Sequence, residues 1–279
     1  MAKPSKLNPV SQGSSIKLAD YNPADKSGFW DEPTTHQHTE KYTRQIGELQ
    51  SLLYAQGTQA LLVVLQGMDT AGKDGTIRRV FDHVNPMGVH AVSFKSPSEL
   101  ERQHDFLWRI HKAVPPRGSL GIFNRSHYED VLIARVHADH LLPPYLQHHK
   151  HIWRDRFIRI NDFERLLVQT NTRVIKFFLH ISKQEQKLRF LARQQDSTKN
   201  WKLSKADFTE RPFWDQYQRA YEKAISNTST SHAPWYIVPS NHKWVRDYHV
   251  ARIVYDTLCD MNPQPRPQSD PSLVKLKFK

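Results

Sequence analysis

Residues 60–76, Ala-Leu-Leu-Val-Val-Leu-Gln-Gly-Met-Asp-Thr-Ala-Gly-Lys-Asp-Gly-Thr, constrain this chain more than any other stretch. Ala60 to Leu65 is a short apolar run rich in Val and Leu. Such a run reads as a strand buried on both faces of a parallel sheet. Gly67, Gly72 and Lys73 then fit G-x-x-x-x-G-K, a loop whose backbone N–H groups cradle phosphate at a helix N-terminus. Ala71, Asp74, Gly75 and Thr76 complete the candidate phosphate-binding set. The usual pattern has Ser or Thr after the Lys to hold Mg²⁺; Asp74 stands there, with Thr76 two residues on. Asp69 adds a carboxylate inside the loop, where an anion repels phosphate unless a cation lies between them. Asp69 therefore reads as a metal-side residue. The bland alternative is a glycine turn carrying a surface Asp and Lys.

The remaining pattern supports an α/β chain. Apolar runs at His90–Phe94, Leu120–Phe123, Val174–Leu179 and Trp235–Val238 give four further strands. Helical periodicity is expected over 38–55, from the glycine loop to about Asn85, from Ser98 to Ala113, over 145–170, from Ser182 to Arg193, from Trp214 to Ser226 and from Asn241 to Asp260. Strands alternating with helices mean a mostly parallel five-stranded sheet covered on both faces. Residues 1–37, with Pro4, Pro9, Pro23 and Pro33, read as an extended arm that Phe29 and Trp30 pin to the body; 38–262 form the domain, and 263–279 a tail.

Net charge is +12, which predicts a polyanionic partner: nucleic acid, a polyphosphate chain or a highly charged nucleotide. No stretch has the length of a membrane span, and Met1-Ala2-Lys3-Pro4 has no apolar core behind it, so no signal peptide is expected. Cys259 is alone, which excludes an internal disulfide and suits a reducing cytoplasm.

Ligands bind at the carboxyl ends of parallel strands, and the loops after the first and third strands are the two richest in charge. The third strand runs into Asn124-Arg125-Ser126-His127-Tyr128-Glu129-Asp130. Arg125 offers a planar fork for a transferring phosphoryl group. Asn124, His127, Glu129 and Asp130 are candidate nucleotide contacts, and Glu129 a second metal candidate after Asp69; the acids equally suit a helix N-terminus. Residues 182–210 carry a basic helix in which Arg189 and Arg193 share one face, with Leu188 and Leu191 as an apolar seat. That segment can close over an anion as a lid, or be a solvated basic face. His148 and His151 have metal-like spacing without a third ligand, and read as a solvated helix face.

Taken together, Gly67–Gly75, Phe123–Asp130, Ile160-Asn-Asp-Phe-Glu164, and Ile181–Gln186 with Trp201-Lys202 resemble the type-two polyphosphate kinase family, in the expected order across about residues 17–262. The resemblance implies a P-loop kinase-like three-layer fold with a helical lid. It implies transfer of the terminal phosphoryl group of inorganic polyphosphate to AMP and/or ADP, with Mg²⁺ (Mn²⁺ as the alternative) as cofactor. Its site roles fall on Lys73 for the transferring phosphate, Asp69 for metal and acceptor, Arg125 beside the glycine loop, and Arg189 and Arg193 on the polyphosphate path. Many members have Asp where this chain has Asn124, and the Asn version resembles the subgroup accepting both AMP and ADP. A homodimer or homotetramer is expected, without nucleic acid or membrane partners. An ATP-dependent small-molecule kinase and a basic nucleic-acid-binding protein with a degenerate loop are the competing readings.

Overall fold

The computed structural model describes residues 4–265, so most of the expected tail lies outside the described residues. Five strands form one parallel sheet: β1 (Ala60–Gln66), β2 (Val89–Ser93), β3 (Leu120–Asn124), β4 (Thr172–His180) and β5 (Trp235–Pro239), in the order β2-β3-β1-β4-β5. Every residue of the central strand β1 is buried, which is why its sequence shows no alternation. Strand order reverses at β1, so a crevice opens between the carboxyl ends of β1 and β3. Leu65 pairs with Asn124 in register, and the Arg125 amide donates to the Leu65 carbonyl at 3.0 Å. The glycine loop and the Asn124–Asp130 loop therefore emerge side by side.

Five of the six longer helices cover the sheet. Helices α1 (Glu32–Gln56), α2 (Lys73–Val80) and α6 (Lys243–Met261) pack together as one layer; α3 (Ile152–Gln169) and α5 (Trp214–Thr228) form the other. Between β4 and α5 lies α4 (Lys183–Gln195). No helix among the described residues is long and apolar enough to cross a membrane.

Several boundaries differ from expectation for local reasons. Helix α1 starts at Glu32 rather than 38, because Asp31 caps it by accepting from the Thr34 amide at 2.7 Å and Pro33 falls in the first turn, where no N–H is needed. The helix expected over 98–113 is two single turns, Glu99–Arg102 and Trp108–His111. The helix expected from 145 begins at Ile152, after one separate turn at Pro144–Gln147. The helix after the glycine loop stops at Val80.

The N-terminal residues run as a strap across the body. The Val10 amide donates to the Trp235 carbonyl at 2.8 Å, Ile16 and Leu18 are buried, and the Leu18 amide donates to Glu222 at 2.8 Å. Phe29 packs edge-on against Trp244 and Tyr248, and Trp30 against Tyr248.

Beneath the loop after β3 lies a fully buried polar cluster. Glu164 of α3 accepts from the Tyr128 hydroxyl at 2.8 Å and lies 3.2 Å from His127 Nε2; it is ion-paired with Lys176 of β4. Lys176 also donates to the Tyr128 hydroxyl at 2.9 Å and to the Thr228 carbonyl at 2.7 Å. Burial works against the Glu164 carboxylate, but Lys176 and His127 outweigh it and hold its pKa below the usual range. Removing one partner strands a buried charge, so Glu164→Gln is expected to cost about 3–5 kcal/mol of stability by urea denaturation. A loss no larger than that of a neutral hydrogen bond, about 1 kcal/mol, contradicts the charged pair.

Candidate active site

The glycine loop closes tightly on its own lysine. Lys73, at the first position of α2, is buried, and its Nζ donates to the Gly67 carbonyl at 2.7 Å. Burial, then the neighbouring Arg125, lower its pKa to about 8, although Asp69, Glu129 and Asp74 pull the other way. The fold demands glycine at two points here. At Gly67 (φ 156°) a Cβ would meet the Leu179 carbonyl at 2.8 Å, and at Gly72 (φ 105°) it would meet the Arg246 guanidinium at 1.9 Å. Ala71 is buried directly against Gly67.

Across the crevice stands Arg125, in the left-handed region at φ 64°. Its Nη2 lies 2.7 Å from Asp69 Oδ1, and its Nη1 3.5 Å from Glu129. Glu129 and then Asp69 hold the guanidinium more firmly protonated than a free arginine, against the cost of its burial. Glu129 is thus the counter-charge behind Arg125 in a 3-10 turn (His127–Val131), not a group on a regular helix. Asp74 accepts from Asn124 Nδ2 at 2.7 Å and from Lys202 Nζ at 2.9 Å. Partial burial disfavours its charge, but these two donors outweigh that and lower its pKa. Asp69, Lys73, Asp74, Asn124, Arg125 and Glu129 therefore meet in one crevice, with Lys202 reaching in from the segment after α4.

Other expected site residues point elsewhere. Thr76 is fully buried and its hydroxyl donates to Asp247 at 3.4 Å, so it faces the α6 layer rather than a phosphate or metal. Gly75 likewise backs onto Arg246, where a Cβ would lie 3.6 Å from the guanidinium. His127 is fully buried in the Glu164 cluster and cannot touch a nucleotide. Asp130 is turned away from the crevice: its backbone carbonyl accepts from Arg156, and its carboxylate lies 4.0 Å from both Arg109 and Arg156. Burial raises its pKa to about 6, offset in part by Arg156 and Arg109.

Helix α4 is rotated relative to expectation. Leu188 and Leu191, expected as its apolar seat, are half exposed, while Gln186 and Phe190 are buried. Arg189 turns inward and donates to the carbonyls of Thr70 (2.9 Å), Ala71 (3.0 Å), Ser240 (2.5 Å) and Asn241 (3.0 Å). Its Nε donates to Glu185 at 2.7 Å. Four carbonyls and a carboxylate satisfy the fork more completely than solvent, which is why Arg189 packs inward. Arg193, on the same face, lies over the Phe190 ring at 5.9 Å. Gln186 donates to the Asp69 carbonyl at 3.2 Å and accepts from Arg211 at 2.6 Å.

Sequence reasoning missed Arg246 and Asp247. Both are buried, on a helix whose neighbours Val245, Tyr248 and Val250 are buried as well. An adjacent Arg-Asp pair inside a helix otherwise apolar on several sides was the available signal. Tyr221, whose hydroxyl meets the Gly67 backbone, carried none. His149, between the paired His148 and His151, lies 3.9 Å from Asp155.

Comparisons with known proteins agree with this architecture. The family model described as Polyphosphate kinase 2 matches residues 30–266. The chain is 48% identical over 235 residues to an AMP/ADP-polyphosphate phosphotransferase of Meiothermus ruber, covering 83% of this chain and 85% of that protein. It is 42% identical over 277 residues to an ADP-polyphosphate phosphotransferase of Rhodopseudomonas palustris, covering 96% and 95%. The crystal structure of Polyphosphate Kinase 2 from Arthrobacter aurescens TC1 superposes with a TM-score of 0.87 at 36% identity, over 97% of this chain and 98% of that one. With the family match over residues 30–266 and relatives 42–48% identical across most of its length, the chain belongs to the polyphosphate kinase 2 family.

Proposed function

We propose that this enzyme transfers the terminal phosphoryl group of inorganic polyphosphate to AMP and/or ADP. One observation carries the reading: Lys73 and Arg125 face one crevice from two strand ends, each held by groups that a phosphate oxygen can replace. Lys73 Nζ exchanges a loop carbonyl for a phosphate oxygen, and Arg125 can present its fork to the group in flight while Glu129 holds it from behind. Phosphoryl transfer needs alignment and positive charge more than a nucleophilic side chain or strong base, since the acceptor phosphate is already ionised. The segment 182–210 acts as a lid over the polymer, with Lys202 tethered to Asp74 as its contact with the loop.

A divalent cation, Mg²⁺ before Mn²⁺, fits the donor set. Mg²⁺ asks for one or two carboxylates and completes its shell with water and substrate phosphates. Asp69 and Asp74 are hard oxygen donors flanking Lys73, and Asn124 fixes the Asp74 carboxylate. These two would hold the ion, which when bound neutralises charge shared between phosphate oxygens. Exposed Met87, Tyr145, Ile158 and Leu166 suit a homodimer or homotetramer, and a lone Cys259 suits action in the cytoplasm.

The direct test is ATP formation from ADP and polyphosphate with no other donor, run in parallel with AMP and guanine nucleotides. Product only when ATP is the donor favours the small-molecule kinase reading, and displacement of polyphosphate by oligonucleotide favours a nucleic-acid partner. Lys73→Ala and Arg125→Ala are expected to lower kcat by about 10³-fold or more; near-wild-type turnover in either contradicts the assignment. A bound phosphate favours the charged ammonium, so binding weakens as Lys73 loses its proton. The KM for polyphosphate is therefore expected to rise as pH passes about 8. Lys73→Arg, which stays protonated, should lose that alkaline limb; an unchanged limb assigns it to another group.

A further inference from the structure

A loop that aims amide N–H groups at an anion must aim the partner carbonyls the other way, because C=O and N–H oppose each other across a trans peptide. Those outward carbonyls need donors of their own. At the Ala71–Gly72 peptide the carbonyl accepts from two guanidinium groups, Arg189 Nη1 at 3.0 Å and Arg246 Nη1 at 3.2 Å. The Gly72 N–H is thereby directed away from both. Arg246 lies flush against the loop, in the volume a Cβ at position 72 would occupy, only 1.9 Å from its Nη1. It comes from α6, is 3% exposed, and is anchored by Asp247 Oδ1, which accepts from its Nε at 2.9 Å and lies 2.8 Å from its Nη2. The same carboxylate oxygen takes the Thr76 hydroxyl at 3.4 Å, tying the first turn of α2 to this anchor.

We propose that Arg246, oriented by Asp247, is a positioning residue for phosphoryl transfer: it holds the Ala71–Gly72 peptide so that the Gly72 amide is presented to the polyphosphate anion. Arg246 touches no substrate and acts through the Ala71 carbonyl. It is a cleaner probe than Arg189, which also fastens Ser240 and Asn241 and so secures the base of α4. The inference rests on the polyphosphate reading above. The two are separable, because wild-type enzyme that makes no ATP from ADP and polyphosphate fails that reading before any variant is considered.

The test compares wild-type enzyme, Arg246→Ala and Asp247→Asn, using polyphosphate and ADP, with thermal unfolding recorded for each. Arg246→Ala is expected to lower kcat/KM for polyphosphate by about 10–100-fold, the range for losing a group that orients a directly acting one. Guanidinium ion at millimolar, non-denaturing concentration should restore a measurable part of the activity, which a purely structural role does not predict. Full activity in Arg246→Ala, or a loss that guanidinium leaves untouched, overturns the proposal. If Arg246→Ala does not fold, Asp247→Asn decides: reduced kcat/KM for polyphosphate at an unchanged unfolding midpoint supports it, and wild-type kinetics overturn it.

Discussion

The Asp69–Arg125 ion pair spans the crevice at the point where the sheet reverses its order. Each partner stands on a loop that follows a different strand, and register alone brings them together: Leu65 opposite Asn124, with the Arg125 amide continuing the ladder onto Leu65. Arg125 adopts φ 64°, a conformation that costs a non-glycine residue about 1–3 kcal/mol and persists only where surrounding contacts fix it. Those contacts are its own amide on the Leu65 carbonyl and the two carboxylates in front and behind. The Glu164–Lys176 pair then anchors Tyr128 and His127 from below. The 3-10 turn that follows Arg125 is thus fixed from below by a fully buried cluster.

The parallel sheet, its five strands and the two charged loops were legible because each is written locally. An unbroken apolar run, a glycine pattern and a helical period each occupy one short window. What was not legible depends on partners far away along the chain. His127 looked like a nucleotide contact until Glu164, 37 residues on, appeared beside it in the core. Thr76 sits near the usual metal position, yet its hydroxyl meets Asp247, 171 residues away. Arg189 and Leu188 were assigned to the wrong sides of α4 because hydrophobicity normally decides which side packs. Here an arginine with carbonyl partners 118 and 51 residues away wins that competition.

The placement of Asn124 follows from the same electrostatics. Asp74 occupies the position that usually carries a metal-holding hydroxyl, so this loop brings its own second carboxylate. With a carboxylate at 124 as well, two anions would meet at hydrogen-bond distance, since Asn124 Nδ2 stands 2.7 Å from Asp74. Like charges that close do not both ionise without a cation between them. The neutral amide removes the repulsion and donates a hydrogen bond, so the loops approach with no ion required. Lys202 completes the balance from the segment after α4, its Nζ at 2.9 Å from the other Asp74 oxygen. The charges of the crevice are therefore balanced internally, Asp69 by Arg125 and Asp74 by Asn124 and Lys202. On the proposed reading, an incoming phosphate chain exchanges these pairs, which would tie recognition of the polyanion to release of Lys202 and Arg125 from their internal acids.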